Sequence, residues 1–207
     1  GIYGIGRSGV VISNASLSGA GASLRLDGGG SASATLTNLD IATSNVGAWF
    51  NLARSGPLTL TGSGINIAST GSGAVLGLYE TTIGAGGLSF GTLTSGIANA
   101  GVDIDLVSGG ALGFTSIAVN GTVTGIRLTN SSAAVGFGDL TLSGAGIALA
   151  SNSSAVTAGT IGVTGGSTGI AIGGQTGTLA IGDTTIAGAG IAGIRFDAGN
   201  TGAITFG

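Results

Sequence analysis

The stretch GIRLTNSSAAVGFGDLTLSGAG (125–146), followed by GIALASNSSAVTAGTIGVTGGSTG (146–169), decides the fold. Each segment opens on Gly and runs into a short apolar pair. Ser, Asn and Gly then separate it from further pairs. In the first segment the pairs are Ile126/Leu128, Val135/Phe137 and Leu140/Leu142. A two-residue alternation puts both members of a pair on one side of a strand. Helix is excluded because Gly is frequent, β-branched residues dominate and no 3.6-residue stripe persists.

Outward from this stretch, Gly21, Gly47, Gly73, Gly101, Gly125, Gly146, Gly169 and Gly193 keep the same beat. Each precedes a pair: Leu24/Leu26, Phe50/Leu52, Leu76/Leu78, Ile104/Leu106, Ile126/Leu128, Ile147/Leu149, Ile170/Ile172 and Ile194/Phe196. Repetition every 21 to 28 residues makes each unit one turn of a stacked array. Second strands recur as Leu58/Leu60, Leu88/Phe90, Leu112/Phe114, Val135/Phe137, Leu179/Ile181 and Ile204/Phe206. Third strands recur as Leu39/Ile41, Ile65/Ile67, Ile117/Val119, Leu140/Leu142 and Ile161/Val163.

The pattern predicts an all-β chain: a right-handed parallel β-helix, or β-solenoid, of about nine coils with three short strands each. It reaches from residue 1 to 207 without a polar linker, which predicts one continuous unit and reads as a piece of a longer chain. An antiparallel sandwich accounts for short strands and turns, but not for the repeated order of Gly, pair, turn, pair, turn, pair. Phe90, Phe114 and Phe137 share one second-strand position in three consecutive coils, so they are expected to stack inside as an aromatic ladder.

Composition narrows the function classes. Charged residues are 6% of the chain, against about 25% in an ordinary domain, and the net charge is −3. No basic stripe exists for nucleic acid and no polybasic patch for a membrane surface. Mean hydropathy is +0.62, yet no stretch approaches the roughly 18 apolar residues of a spanning helix, so no membrane span is expected here. Without Cys there are no disulfides or thiolate metal sites, and without His the usual triads lack a base. Regularly spaced β-branched residues argue against a disordered Gly/Ser linker, although Gly makes up 46 of 207 residues.

These segments resemble the parallel β-helix repeats of large bacterial secreted and surface proteins, namely autotransporter passengers and filamentous-haemagglutinin-like adhesins. The resemblance covers nearly the whole chain and rests on glycine and aliphatic residues. It implies an extracellular or cell-surface location and a role in adhesion or surface structure.

Parallel β-helices also include polysaccharide lyases and hydrolases, so chemistry must be sought. Asp103 and Asp105 are the one close acidic pair, on one outward face. Two such carboxylates suit Ca²⁺ binding or acid/base work, or are solvated charges beside Ile104. On the marker alignment, Asp105 falls one coil below Arg127 and forms an ion pair with it. Arg25, Arg127 and Arg195 share the slot between two inward residues. Trp49 and Tyr79 flank first strands in adjacent coils and offer a sugar-stacking surface. Trp49, Tyr79, Asp103 and Asp105 are therefore the candidate glycan contacts.

Gly28-Gly29-Gly30 and the GAGGLSFG segment lack the Lys and helix of a phosphate loop. Asp139 and Asp183 follow Gly singly, not in a Ca²⁺-binding nonapeptide array. Asn14, Asn120, Asn130 and Asn152 begin glycosylation sequons. TLT and TVT fragments do not keep the phase that an ice-binding Thr ladder needs. No cofactor and no catalytic or metal-binding residue is expected. The expected function is a non-catalytic structural or adhesive rod segment of an extracellular filament or large surface protein. Its expected partners are itself or like segments, end to end or laterally, and surface glycans. The alternative is a glycan-binding or polysaccharide-cleaving β-helix module, tailspike- or lyase-like.

Overall fold

In the computed structural model the chain is a parallel β-solenoid of about eight turns, with no helix among the described residues. The structure describes residues 1–21, 23–71 and 74–207, leaving out the side chains of 97–100, 122 and 123. Gly73 of the glycine beat lies outside them.

One face shows the stacking plainly. Ile2–Ile5, Leu24–Asp27, Ala48–Phe50 and Leu76–Tyr79 lie parallel, one above the next. Segments 102–105 and 126–129 follow, then Gly146–Ala150, Thr168–Gly173 and Ala192–Phe196. Gly4, Leu26, Phe50, Leu78, Ile104, Leu128, Leu149, Ile172 and Phe196 stand in one inward column. These nine levels enclose eight turns, of 22, 24, 28, 26, 24, 21, 23 and 24 residues.

The column corrects two expected pairs. The inward pairs are Ala48/Phe50 and Val102/Ile104, not Phe50/Leu52 and Ile104/Leu106. Leu52 and Leu106 are exposed. A two-residue slip leaves the alternation within the strand unchanged, so alternation alone cannot detect it. Leu106 stands instead at a corner with φ of 58°. Glu80, Asn130, Ser151 and Gly174 occupy that corner at neighbouring levels, all with positive φ. Each donates its backbone N–H to the level beyond, as in Leu106 N to Thr129 O at 3.1 Å.

At Gly47, Gly101, Gly125, Gly146 and Gly169 of the beat, a side chain would meet a neighbouring level. A Cβ on Gly101 would lie 2.4 Å from the Gly125 carbonyl oxygen, and one on Gly146 only 2.0 Å from that of Thr168. Both are far inside contact distance, so the turn can close only over a residue without a side chain.

The inward residues form one apolar core running along the rod. Phe90, Phe114 and Phe137 stack within it as expected. Their ring centroids are 5.2 Å apart in both pairs, with interplanar angles of 9° and 14°. The column holding them continues in both directions as Ala15, Leu39, Ile65, Phe90, Phe114, Phe137, Ala158, Ile181 and Phe206. The sequence pattern assigns Leu39 and Ile65 to third strands and the phenylalanines to second strands. Register shifts between Leu60 and Ile67 join the two sets into one column.

Candidate functional site

The outward column of the same first face carries the chemistry. In register it reads Tyr3, Arg25, Trp49, Gly77, Asp103, Arg127, Ala148, Ala171 and Arg195. The slot shared by Arg25, Arg127 and Arg195 is therefore real, and Trp49 and Asp103 occupy it too.

Gly77 leaves that slot empty, and the Tyr79 ring fills it from two residues further on. A Cβ at Gly77 would stand 2.8 Å from Tyr79 Cε2. The Tyr79 hydroxyl donates to Asp103 Oδ2 at 2.9 Å, and its ring packs on Trp49 with centroids 6.1 Å apart. Arg127 grips the same Asp103 carboxylate in a fork, Nε to Oδ1 at 2.7 Å and Nη2 to Oδ2 at 2.6 Å. Two parallel charge-assisted bonds fix both distance and plane. Burial, and then the Asp103 charge, push the Tyr79 phenol above its ordinary value.

Asp105 faces Thr129 across the levels, not Arg127, which corrects the expected Asp105–Arg127 pair. The cause is the two-residue slip at Ile104. Asp105 instead accepts from Thr129 Oγ1 at 2.7 Å, Asn130 Nδ2 at 2.9 Å and an Arg54 guanidinium nitrogen. Burial alone would raise the Asp105 carboxyl; the hydrogen bonds from Arg54, Asn130 and Thr129 outweigh it and hold the group below its ordinary value.

Arg54 comes from the loop after Ala48–Phe50 and spans two levels. It donates to Glu80 Oε1 at 3.2 Å and lies 5.3 Å over the Tyr79 ring, within cation–π range. The loop is anchored by buried Asn51, which accepts from Gly28 N at 3.1 Å and donates to the carbonyls of Gly56 and Glu80. Buried Asp27 adds a second anchor, accepting from Ala53 N at 3.0 Å and from Arg25 Nε at 2.7 Å.

Trp49, Tyr79, Asp103 and Asp105 therefore meet on one face, but not as four free ligand contacts. Tyr79 and Asp103 are covered by the arginines they bind. Both carboxylates are committed to hydrogen bonds, an unfavourable setting for a proton acceptor. Arg54 and Glu80 escaped the sequence reading, because Arg54 stands 51 residues from Asp105 and no local spacing joins them. Among the described residues no group of three or more Asp or Glu side chains is placed to hold a metal ion.

Trp49 keeps an open side. It lines a cavity of about 240 Å³ together with Leu24, Arg25, Asn45, Val46 and Leu52. A wider depression of about 560 Å³ lies over Leu88, Leu112, Gly113, Val135 and Gly136, and its walls are small and apolar. Outward hydroxyls keep phase better than expected on the N-terminal second face: Ser33, Thr59 and Thr82 stand in register, as do Thr35 and Thr61. Of the sequons, Asn152 is buried and bonded to Ser131 and Leu128, whereas Asn14, Asn120 and Asn130 are exposed.

Comparison with known proteins finds no matching family model, no matching curated protein and no matching solved structure.

Proposed function

We propose that this chain is a non-catalytic structural or adhesive rod segment of an extracellular filament or large cell-surface protein, joined to like segments end to end or laterally. The resemblance to bacterial β-helix adhesins motivates the location. The observation that carries the rod is the apolar column from Ala15 to Phe206, matched by backbone bonding from level to level even at the corners. Such a column transmits load along its axis, and each level depends chiefly on its neighbours.

Inward residues of the outermost levels are only partly covered, Ile2, Val10 and Ile12 at one end and Ile194, Phe196 and Phe206 at the other. A further level, from this chain or another copy, would cover them and pair their strand edges. Electron microscopy and sedimentation of the purified chain over a concentration series test the self-associating form. Fibres one rod wide are the expected product. A monomer at every concentration ends that part of the proposal.

A second reading, glycan binding, is favoured by the meeting of Trp49 and Tyr79 beside Asp103 and Asp105. Its cleaving version requires a free carboxylate pair, which the bonds to Arg54 and Arg127 oppose. A polysaccharide-cleaving activity abolished by Asp103→Ala or Asp105→Ala would overturn the non-catalytic reading.

A further inference from the structure

We propose that the cavity beside Trp49 is a binding site for one uncharged pyranose unit of a surface polysaccharide. This deepens the second reading above and is independent of the rod's self-association. The site differs from the four residues singled out in the sequence. Of those it keeps only Trp49, and it adds Arg25, Asn45, Val46 and Leu52.

Three observations point to a sugar. The first is an aromatic wall braced from one side. Tyr79 is held by its hydroxyl bond to Asp103 and covered by Arg54, and Trp49 packs against it while lining the cavity. An indole braced on one side by Tyr79 has less freedom to lose on binding, which is where weak carbohydrate contacts otherwise fail. The second is the mixture of surfaces. Trp49, Val46 and Leu52 offer apolar area to the C–H side of a pyranose. Asn45 offers its amide nitrogen, since its Oδ1 already accepts from Val46 N at 2.8 Å. Arg25 adds a guanidinium whose charge is matched by Asp27, so the cavity has no excess charge to select an anion.

The third observation is an orphan donor. Trp49 Nε1 is buried and has no hydrogen-bond partner. Buried donors are nearly always paired, and an unpaired one calls for an acceptor. A ligand hydroxyl reached by a small turn of the indole supplies one. At about 240 Å³ the cavity is smaller than the roughly 300–1,000 Å³ pockets of drug-sized ligands, consistent with a single ring.

Trp49 is the one tryptophan of the chain, so its emission reports this site directly. The intact chain is titrated with cellobiose, lactose, maltose and methyl α-mannopyranoside while tryptophan fluorescence is followed. At least one sugar should give a saturable change in the millimolar range. Asn45→Ala should weaken it about tenfold, the loss of one good hydrogen bond to the sugar, while its lost exposed bond to Val46 N lowers the unfolding midpoint only slightly. Leu52→Asp, at an exposed position, should weaken it as well. Saturation-transfer NMR on Trp49→Phe checks that the sugar contacts the indole. No saturable change with any of the four sugars overturns the proposal, as does a change that both Asn45→Ala and Leu52→Asp leave intact. Fibre formation in the microscope is a separate readout, so failure here leaves the rod reading standing.

Discussion

Two columns run the length of this rod, one inside on the phenylalanine face and one outside on the first face, and they obey different rules. The inner column from Ala15 to Phe206 is apolar at every level. The outer column from Tyr3 to Arg195 changes chemistry at almost every step, through Arg, Trp, Gly, Asp and Ala. Each is held by its own parallel ladder of level-to-level backbone pairing, so backbone pairing does not distinguish them. Burial does. Inside, a wrong residue leaves a void or an unpaired polar group. Outside, water accepts nearly anything, and the few levels that depart from blandness form the cluster around Tyr79.

The sharpest way to break this contrast is from within. Phe114→Ala removes the middle ring of the stack and should cost about 3–5 kcal/mol in urea unfolding, through lost transfer energy and a cavity. A cost below about 1 kcal/mol would mean that the inner column is no more constrained than the outer one.

Tyr79 belongs to the outer column's cluster yet is covered, so it should behave between the two. Tyr79→Phe leaves Asp103 to Arg127 alone and should cost about 1–2 kcal/mol at neutral pH. The phenol also titrates higher in the folded chain than its usual value of about 10. The folded state then holds a proton that the unfolded state releases. Its stabilising share is complete below pH 10 and declines as pH rises further. Unfolding midpoints in alkaline buffer should fall less steeply for Tyr79→Phe than for the parent chain.

Leu106 tests the corner, where neither rule governs. An exposed leucine at φ of 58° bears the cost of a left-handed backbone, and Asn130 holds the neighbouring level's corner at 52°. Leu106→Asn should stabilise the chain by up to about 1 kcal/mol in the same urea assay. At the bland end of the outer column, Ala171→Ser should shift stability by no more than about 0.5 kcal/mol. A larger effect there would show that the outer face is packed against something.

Repetition made the solenoid legible. A glycine beat, paired apolar residues and turn-forming corners allow one cheap arrangement: stacking each unit on the next. The phenylalanine stack was legible for the same reason, since three rings at one spacing can share one column. Partners of the charged residues were not. Asp103 and Asp105 were visible as a pair, but a two-residue slip at Ile104 gave Arg127 to the wrong carboxylate. Arg54 had no visible partner at all.

The sequence by itself determined that the chain is all-β, that it coils with a period of 21 to 28 residues, and which side of each strand faces inward. Those properties follow from local alternation and from glycine where neighbouring backbones nearly touch. Only the tertiary structure decided which level meets which. It joined Leu39 and Ile65 to the phenylalanine column, turned Leu106 out to a corner, and brought Arg54 across two levels to Asp105. The physical reason is that strand alternation repeats every two residues whereas a coil lasts more than twenty. A chain pattern therefore fixes sides without fixing register, and register is set where backbone hydrogen bonds and core packing are satisfied together.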